Sequence, residues 1–214
     1  MVRLIEGRDF SRYSPIAWRG LWFRWDKAWL RRLQQERPDS LAVLGNQARF
    51  LAPVKIVTRQ TSAGIVATLD VDGYHCTNSV HTTRLRDPAG PLALEFLLGV
   101  LNSRPMQFYY GHAHLEKAGL FPQVKVRNLR SVPVPIINSA DPVSRSRHDR
   151  IVELVREQLA LHRELGTSRA GQGTERKCQR AEAIDLEIDQ IVSALYGLGA
   201  EHAGTVAESA KTAK

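Results

Sequence analysis

The sequence has 214 residues, only two cysteines and no long apolar run. Cys76 and Cys178 stand far apart and form no CxxC pair, so neither a zinc ribbon nor a disulfide framework is predicted. The longest apolar stretch, LALEFLLGVL, is too short and too interrupted to span a bilayer. The first residues also lack the apolar segment of a signal peptide. We therefore expect a soluble, cytoplasmic protein with no membrane partner.

Local catalytic signatures are missing too. The sequence contains no Gly-rich phosphate loop, no GxSxG, no HExxH and no Rossmann fingerprint. We predict no catalytic residue and no metal site. One alternative stays open, because His112, His114 and Glu116 alternate along the chain and would share one face of a strand as metal ligands of a small nuclease. A weaker nuclease combination is Lys55 with Asp70 and Asp72.

Positive charge is in excess. Thirty Lys and Arg face 22 Asp and Glu, which gives a net charge of +8 and a pI of about 9.9. Such a balance is typical of polyanion binders, because each phosphate contact releases counterions. Most of the basic residues are arginine, which a GC-rich genome would also produce.

The N-terminal third carries all four tryptophans. Trp18, Trp22, Trp25 and Trp29 recur at helical spacing, which predicts one helix face packed into the core.

A meander of strands follows in the middle of the chain. VKIVTRQT and GIVATLDVDG predict two strands joined at Ser62 to Gly64, and Tyr74 to Arg86 predicts a third. The leucine spacing of LALEFLLGVLNS predicts a buried helix, and Ser103 is a candidate cap for a second helix, since Pro105 is tolerated in a first turn. A loop through GHAHLEK then leads to a predicted basic strand over residues 120–137, which Pro133 and Pro135 terminate.

Two amphipathic helices are predicted at the C-terminal end. Their apolar positions step by three and four residues, GTSRAGQG forms the turn between them, and Gly197 and Gly199 are candidate stops. The pattern predicts an antiparallel coiled-coil hairpin, followed by a disordered tail. The first helix carries Ile151, Leu154, Gln158, Leu161 and Leu165, and the second carries Ala181, Ile184, Ile188, Ile191 and Leu195.

The basic strands carry side chains that suit base readout. Arg pairs with guanine, and Asn or Gln pairs with adenine, so Arg59, Gln60, Asn78, His81 and Arg84 are candidates. Arg59 and Gln60 are adjacent in a strand and face opposite sides, so one of them is expected to be structural.

Five segments in a fixed order resemble the TaqI-like C-terminal specificity domain, the target-recognition part of N6-adenine DNA methyltransferases and type IIG restriction-modification enzymes. The resemblance covers about residues 4 to 198. It implies that the proline-ended strand closes the recognition domain and that the following helices form a spacer or docking element. The segments are LIEGRDFSRY, KIVTRQTSAGIVATLDVDGYHCTNSVHTTRLRD, LEFLLGVLNSRPMQFYY, FPQVKVRNLRSVPVPII and LEIDQIVSALYGL.

Full enzymes of this kind also carry an S-adenosylmethionine fold with an Asn-Pro-Pro-Tyr motif, which these residues lack. The resemblance thus implies a recognition module alone: a separate subunit, a truncated remnant or an excised fragment. No cofactor is expected in this chain, and S-adenosylmethionine is expected only in a catalytic partner or missing domain.

We therefore predict an α+β fold: a mixed or antiparallel β-rich recognition domain with packed helices (1–142), a helical hairpin (143–199) and a tail (200–214). Expected partners are double-stranded DNA and a DNA methyltransferase or endonuclease domain or subunit, with possible self-association through the hairpin. The alternative to DNA recognition is an adaptor that binds proteins through the hairpin. The candidate DNA contacts are Arg8, Arg12, Arg59, Gln60, Asn78, His81, Lys117, Lys125 and Arg127.

Overall fold

The computed structural model describes residues 1–38, 47, 50–114, 122–167 and 171–199. The fold is α+β, as expected, with two small sheets and a C-terminal helical pair. No helix in these ranges is long and apolar enough to cross a membrane. The predicted tail, 200–214, lies outside the described residues. The strands are β1 (Val2–Ile5), β2 (Trp22–Phe23), β3 (Lys55–Arg59), β4 (Ala67–Asp70), β5 (His75–Cys76) and β6 (Val80–Thr83). The helices are α1 (Lys27–Glu36), α2 (Leu94–Asn102), α3 (Arg104–Ala113), α4 (Val126–Arg130), α5 (Pro142–Thr167) and α6 (Gln172–Leu195).

The predicted hairpin of two strands is confirmed as β3 and β4. They pair antiparallel, and β6 pairs antiparallel with the other side of β3, so the strand order is β4-β3-β6. Alternation along β3 places Ile56 in the main hydrophobic core and Val57 in a smaller cluster with Ile5 and Phe10. The central strand is therefore covered on both faces.

The predicted third strand, Tyr74 to Arg86, is wrong as a single element, because it forms two short strands in different sheets. β5 pairs parallel with β1, which also pairs with β2, and β6 joins β3. A turn separates them: Val80 N donates to Thr77 O at 3.2 Å, and the hydroxyls of Thr77 and Ser79 lie 2.7 Å apart. This turn lets the chain pass from one sheet to the other.

The predicted helix through all four tryptophans is wrong. Gly20 takes a left-handed φ of 81°, which breaks a helix there. Helix α1 begins only after Asp26, whose carboxylate accepts the backbone N–H of Trp29 at 2.9 Å. Trp22 lies in strand β2 and is 50% exposed. The spacing of the tryptophans matched a helix face, but these local stop and start signals overrode it.

The buried helix and the capping serine are confirmed. Ser103 follows the last residue of α2. Its hydroxyl accepts the N–H of Met106 and caps helix α3, which has Pro105 in its first turn. Helix α3 continues to Ala113, so the loop predicted over this stretch is wrong up to that residue. His112 therefore lies on a helix.

The predicted strand over residues 120–137 is also wrong. Among the described residues of this stretch, 122–137, only Gln123 makes a β-bridge, to Thr61. Lys125 O then accepts the N–H groups of Asn128 and Leu129, both at 3.0 Å, and the chain turns into the short helix α4. Lys125 and Arg127 consequently do not alternate along a strand.

The C-terminal helical pair is confirmed, and it packs directly on the rest of the chain. Its apolar residues join α2, β3 and β4 in one hydrophobic core. A Cβ at Gly99 in α2 would lie 2.7 Å from Cγ2 of Ile151, so only glycine permits this approach of α2 to α5. Helix α6 ends as predicted near Gly197, which has a φ of 67°.

Candidate nucleic-acid interface

Many arginines form ion pairs with carboxylates of the same chain. Arg12 donates to both carboxylate oxygens of Asp185, at 3.1 and 3.2 Å. Arg19 pairs with Asp9. Further pairs are Arg104 with Asp189, Arg150 with Glu187, Arg156 with Glu95 and Arg180 with Glu157. The basic residues that have no carboxylate partner are therefore the better candidates for contacts with an anionic ligand.

Three exposed arginines line one open groove. We name it the β6 groove: it has a volume of about 690 Å³ and lies between α4 and the stretch from Thr77 through β6 to Arg86. Arg84 and Arg86 follow β6, and Arg130 ends α4. Within the described ranges, none of the three forms an ion pair or a hydrogen bond. The groove therefore combines three exposed positive charges without a neutralising carboxylate, which suits an anionic ligand.

The backbone of β6 also faces this groove. β6 is an edge of its sheet. Arg59 N donates to Val66 O, so the backbone groups of Arg59 point toward β4. The backbone groups of the alternate residues Thr58 and Ile56 therefore point toward β6, where they pair with His81 and Thr83. Thr82 lies between those two, and its N–H and C=O point away from the sheet. Backbone amides are common phosphate ligands, so the edge adds a neutral donor to the charged groove.

A second depression lies at the turn that precedes β6. We name it the Arg8 pocket: it has a volume of about 400 Å³, and Ser79, the residue before β6, is part of its lining. Arg8 lies at its rim, with a side chain that is 69% exposed and an ion pair to Glu6 at 2.6 Å. A Cβ at Gly7 would lie 2.9 Å from Cγ of Arg59, so glycine keeps this wall closely packed.

Three of the predicted DNA contacts hold the fold together. Arg12 joins the N-terminal segment to α6 through Asp185. Arg59 donates to Phe10 O and lies over the Phe10 ring, so it is the structural member of the adjacent pair with Gln60. His81 Nε2 donates to Val124 O at 2.7 Å and positions the chain segment that leads to α4.

The other predicted contacts lie near the two depressions or outside the described residues. Gln60 is half-buried. Its N–H donates to Ser79 O, and its carbonyl oxygen accepts the N–H of Val124. Asn78 is exposed in the turn before β6. Lys125 precedes α4 and Arg127 lies on it. Lys117 is among the residues that the structure does not describe.

Arg86 and Arg130 of the β6 groove were missing from the predicted contacts, and Arg84 was a candidate for base readout that the nine predicted contacts left out. Arg84 and Arg86 follow the β6 segment two residues apart, and this alternation after a strand was a usable signal. Arg130 could not be found that way, because its segment was interpreted as a strand, whereas helix α4 brings it beside β6.

The predicted metal ligands are only partly described. His112 Nδ1 donates to Phe108 O at 2.8 Å, and His114 Nε2 lies 3.3 Å from the Ser131 hydroxyl. Among the described residues, no three His, Cys, Asp or Glu side chains form a group that could hold a metal ion. Glu116 lies outside them, so the nuclease alternative stays a prediction.

Two members of the second nuclease combination, Lys55 and Asp70, lie in the protein interior, whereas Asp72 is exposed. Lys55 Nζ lies 2.5 Å from Asp70 Oδ2, and both side chains are fully buried. His75 lies beside them, stacked on Phe50, and burial followed by the nearby Lys55 charge lowers its pKa. Phe50, which stacks on His75 and accepts a hydrogen bond from Lys55 at its carbonyl oxygen, also lines the β6 groove.

These features define the class of protein: an α+β domain that has a basic groove at a sheet edge. Residues 2–134 match the family model of the TaqI-like C-terminal specificity domain, and the chain belongs to that family. It is thus a DNA-recognition specificity domain of the methyltransferase type, a kind that is in general non-catalytic and associates with a catalytic methyltransferase part. No curated protein matches the chain.

Proposed function

We propose that this chain recognises a short sequence in double-stranded DNA and positions it for a separate methyltransferase or endonuclease domain or subunit of a restriction-modification or related system. The observation that carries the proposal is the β6 groove, where Arg84, Arg86 and Arg130 have no partner in the described chain. The family match gives this groove its expected ligand.

The groove and the Arg8 pocket together suit a stretch of duplex. From Ser79 to Arg86 the chain spans at most about 26 Å when extended, and one DNA strand carries a phosphate every 3.4 Å along the helix axis. Such a stretch can therefore follow at most about seven base pairs. Arginines at one end would dock phosphates, and polar side chains at the other end would reach base edges.

The helical hairpin, 143–199, is proposed as the docking element for the catalytic part, and residues 1–142 as the recognition domain. Bonds such as Arg12 to Asp185 and Tyr196 Oη to Pro133 O (2.6 Å) hold the hairpin in a defined orientation against the recognition region. This would give a docked enzyme a fixed position relative to the bound site. Self-association through the hairpin stays a prediction.

Under this proposal the chain performs no covalent chemistry, and S-adenosylmethionine binds the catalytic partner alone. Titration of S-adenosylmethionine into the purified chain should give no heat of binding. A saturable signal would contradict this part of the proposal and would point to a cofactor site in this chain.

The adaptor alternative needs an exposed surface on the hairpin, and the buried Ile188 of α6 is not part of one. Ile188 is 1% exposed and lies in the main core, and Ile191 packs against the same core. Replacing both with aspartate would disrupt the core and would not isolate partner binding. Exposed hairpin residues such as Leu186, which is 48% exposed, are the appropriate positions for that test.

The test of the proposed function is selection of bound duplexes from a randomised pool by the wild-type chain at two salt concentrations. Enrichment of one short motif, with binding that weakens at the higher salt, is the expected result. Absence of binding at low salt would refute DNA recognition. Salt-sensitive binding without an enriched motif would refute sequence-specific reading by this chain.

A further inference from the structure

Two short segments form a ribbon between the β6 groove and the Arg8 pocket. Thr61 makes an antiparallel bridge with Gln123. On one side of that bridge Ser62 N donates to Pro122 O at 3.1 Å, and on the other Val124 N donates to Gln60 O at 2.7 Å. We call residues 60–62 and 122–124 the recognition ribbon. Its backbone is fixed by hydrogen bonds on both sides of Gln123, so its side chains start from a defined position.

One face of the ribbon is exposed and the other is buried. Thr61 and Gln123 are cross-strand neighbours and share a face, and both are exposed. Gln60 and Val124 share the opposite face, where Val124 is fully buried in the main core. In the described chain the amide of Gln123 forms no hydrogen bond. Gln123 therefore presents a free amide from a rigid support.

The ribbon connects residues of the two depressions. Thr61 lines the Arg8 pocket. Val124 accepts a hydrogen bond from His81 of the β6 groove, and Val126 lines that groove. Gln123, the cross-strand partner of Thr61 and the chain neighbour of Val124, is therefore an exposed side chain next to residues that belong to both depressions.

A two-stranded ribbon has the width that the major groove of B-DNA admits. An amide side chain offers one donor and one acceptor, the pattern that adenine N7 and N6 require. On the basis of the proposed function, we infer that the recognition ribbon enters the major groove and that Gln123 determines specificity for an adenine there. Gln60 carries the same amide but lies on the buried side of the ribbon.

The test compares the full chain carrying Gln123→Ala or Gln123→Glu with the wild type in the same selection from a randomised duplex pool. Gln123→Ala should lose preference for adenine at one position of the motif by about 5- to 150-fold while the other positions are kept. Gln123→Glu should shift that position toward cytosine, because a carboxylate only accepts hydrogen bonds. Gln179→Ala, an exposed glutamine on α6, is the matched control and should select the wild-type motif.

The outcomes separate this inference from the proposed function. If the wild type selects a motif and Gln123→Ala selects the same motif with equal strength, the inference is wrong and the proposed function stands. If the wild type selects no motif, both are wrong. Uniform weakening at every position by Gln123→Ala would show that the ribbon only supports the fold or docks phosphates, which also overturns the inference.

Discussion

The buried ion pair between Lys55 and Asp70 allows a stability prediction that depends on which partner is removed. Lys55 Nζ has one acceptor besides the carboxylate, Phe50 O at 3.1 Å. Asp70 is better supported, because its carboxylate also accepts three backbone N–H groups at 2.9 to 3.0 Å. These belong to Asp72, Gly73 and Tyr74 in the turn after β4.

Removing one partner of a buried pair costs about 3–5 kcal/mol. After Lys55→Met the carboxylate keeps its three amides, so we expect a loss near the lower limit, about 3 kcal/mol. After Asp70→Ala an ammonium stays buried with one carbonyl, and three amides lose their acceptor at about 1 kcal/mol each. The expected loss is about 6–8 kcal/mol, comparable with the whole stability of a domain.

Urea unfolding followed by tryptophan fluorescence measures both values. The double variant Lys55→Met with Asp70→Asn leaves no unpaired ion and should be more stable than Asp70→Ala. Lys177→Met removes an exposed pair with Glu164 and serves as the control, with an expected loss below about 1 kcal/mol. A loss for Lys55→Met equal to or larger than that for Asp70→Ala would refute the reasoning.

Three further changes test other parts of the fold. Gly99→Val forces side-chain atoms into the contact with Ile151 and should destabilise by about 1–3 kcal/mol or more in urea; no loss would show that α2 and α5 can separate. Ser103→Ala removes the cap of α3 and should cost about 1 kcal/mol, and an unchanged stability would contradict the role of the cap. Burial raises the pKa of the Asp189 carboxyl from 3.8 to about 6. The folded state thus binds more protons than the unfolded state between those pH values, and this group lowers the free energy of unfolding as pH rises through them. The free energy of unfolding of Asp189→Asn, measured relative to that of the wild type, should therefore rise by up to about 3 kcal/mol between pH 4 and pH 7. A difference that does not depend on pH would contradict this.

The parts of the fold that the sequence predicted are those that local patterns determine. The alternation of β3 and β4, the leucine spacing of α2 and the hydroxyl of Ser103 each act within a few residues. The wrong predictions arose where two patterns fitted. Val124 and Val126 are two residues apart, which suits a strand, whereas Val126 and Leu129 are three residues apart, which suits a helix, and α4 is a helix.

The candidate site was harder to predict, because the role of each arginine depends on distant partners. Arg12 meets Asp185, which lies 173 positions away in the sequence. Arg59 is bonded to Phe10 on a different segment. Arg84 has no such partner in the described chain, so it is available to a ligand, but its alternation with Arg86 in the sequence does not reveal that it lacks a carboxylate partner.

The most direct test of the account is the salt dependence of duplex binding by a variant of the β6 groove. Arg84, Arg86 and Arg130 are changed together to alanine. The control changes Arg147, Arg163 and Arg176, three exposed arginines of the hairpin, and removes the same net charge. Fluorescence anisotropy with a labelled duplex is recorded between about 50 and 400 mM salt.

Three phosphate contacts contribute about −2.7 to the slope of log affinity against log salt. We predict that the groove variant loses about this slope and binds about 100- to 1,000-fold more weakly at 0.1 M salt, whereas the hairpin control keeps the wild-type slope. Equal losses in the two variants, or an unchanged slope in the groove variant, would contradict the assignment of the β6 groove as the DNA-binding surface.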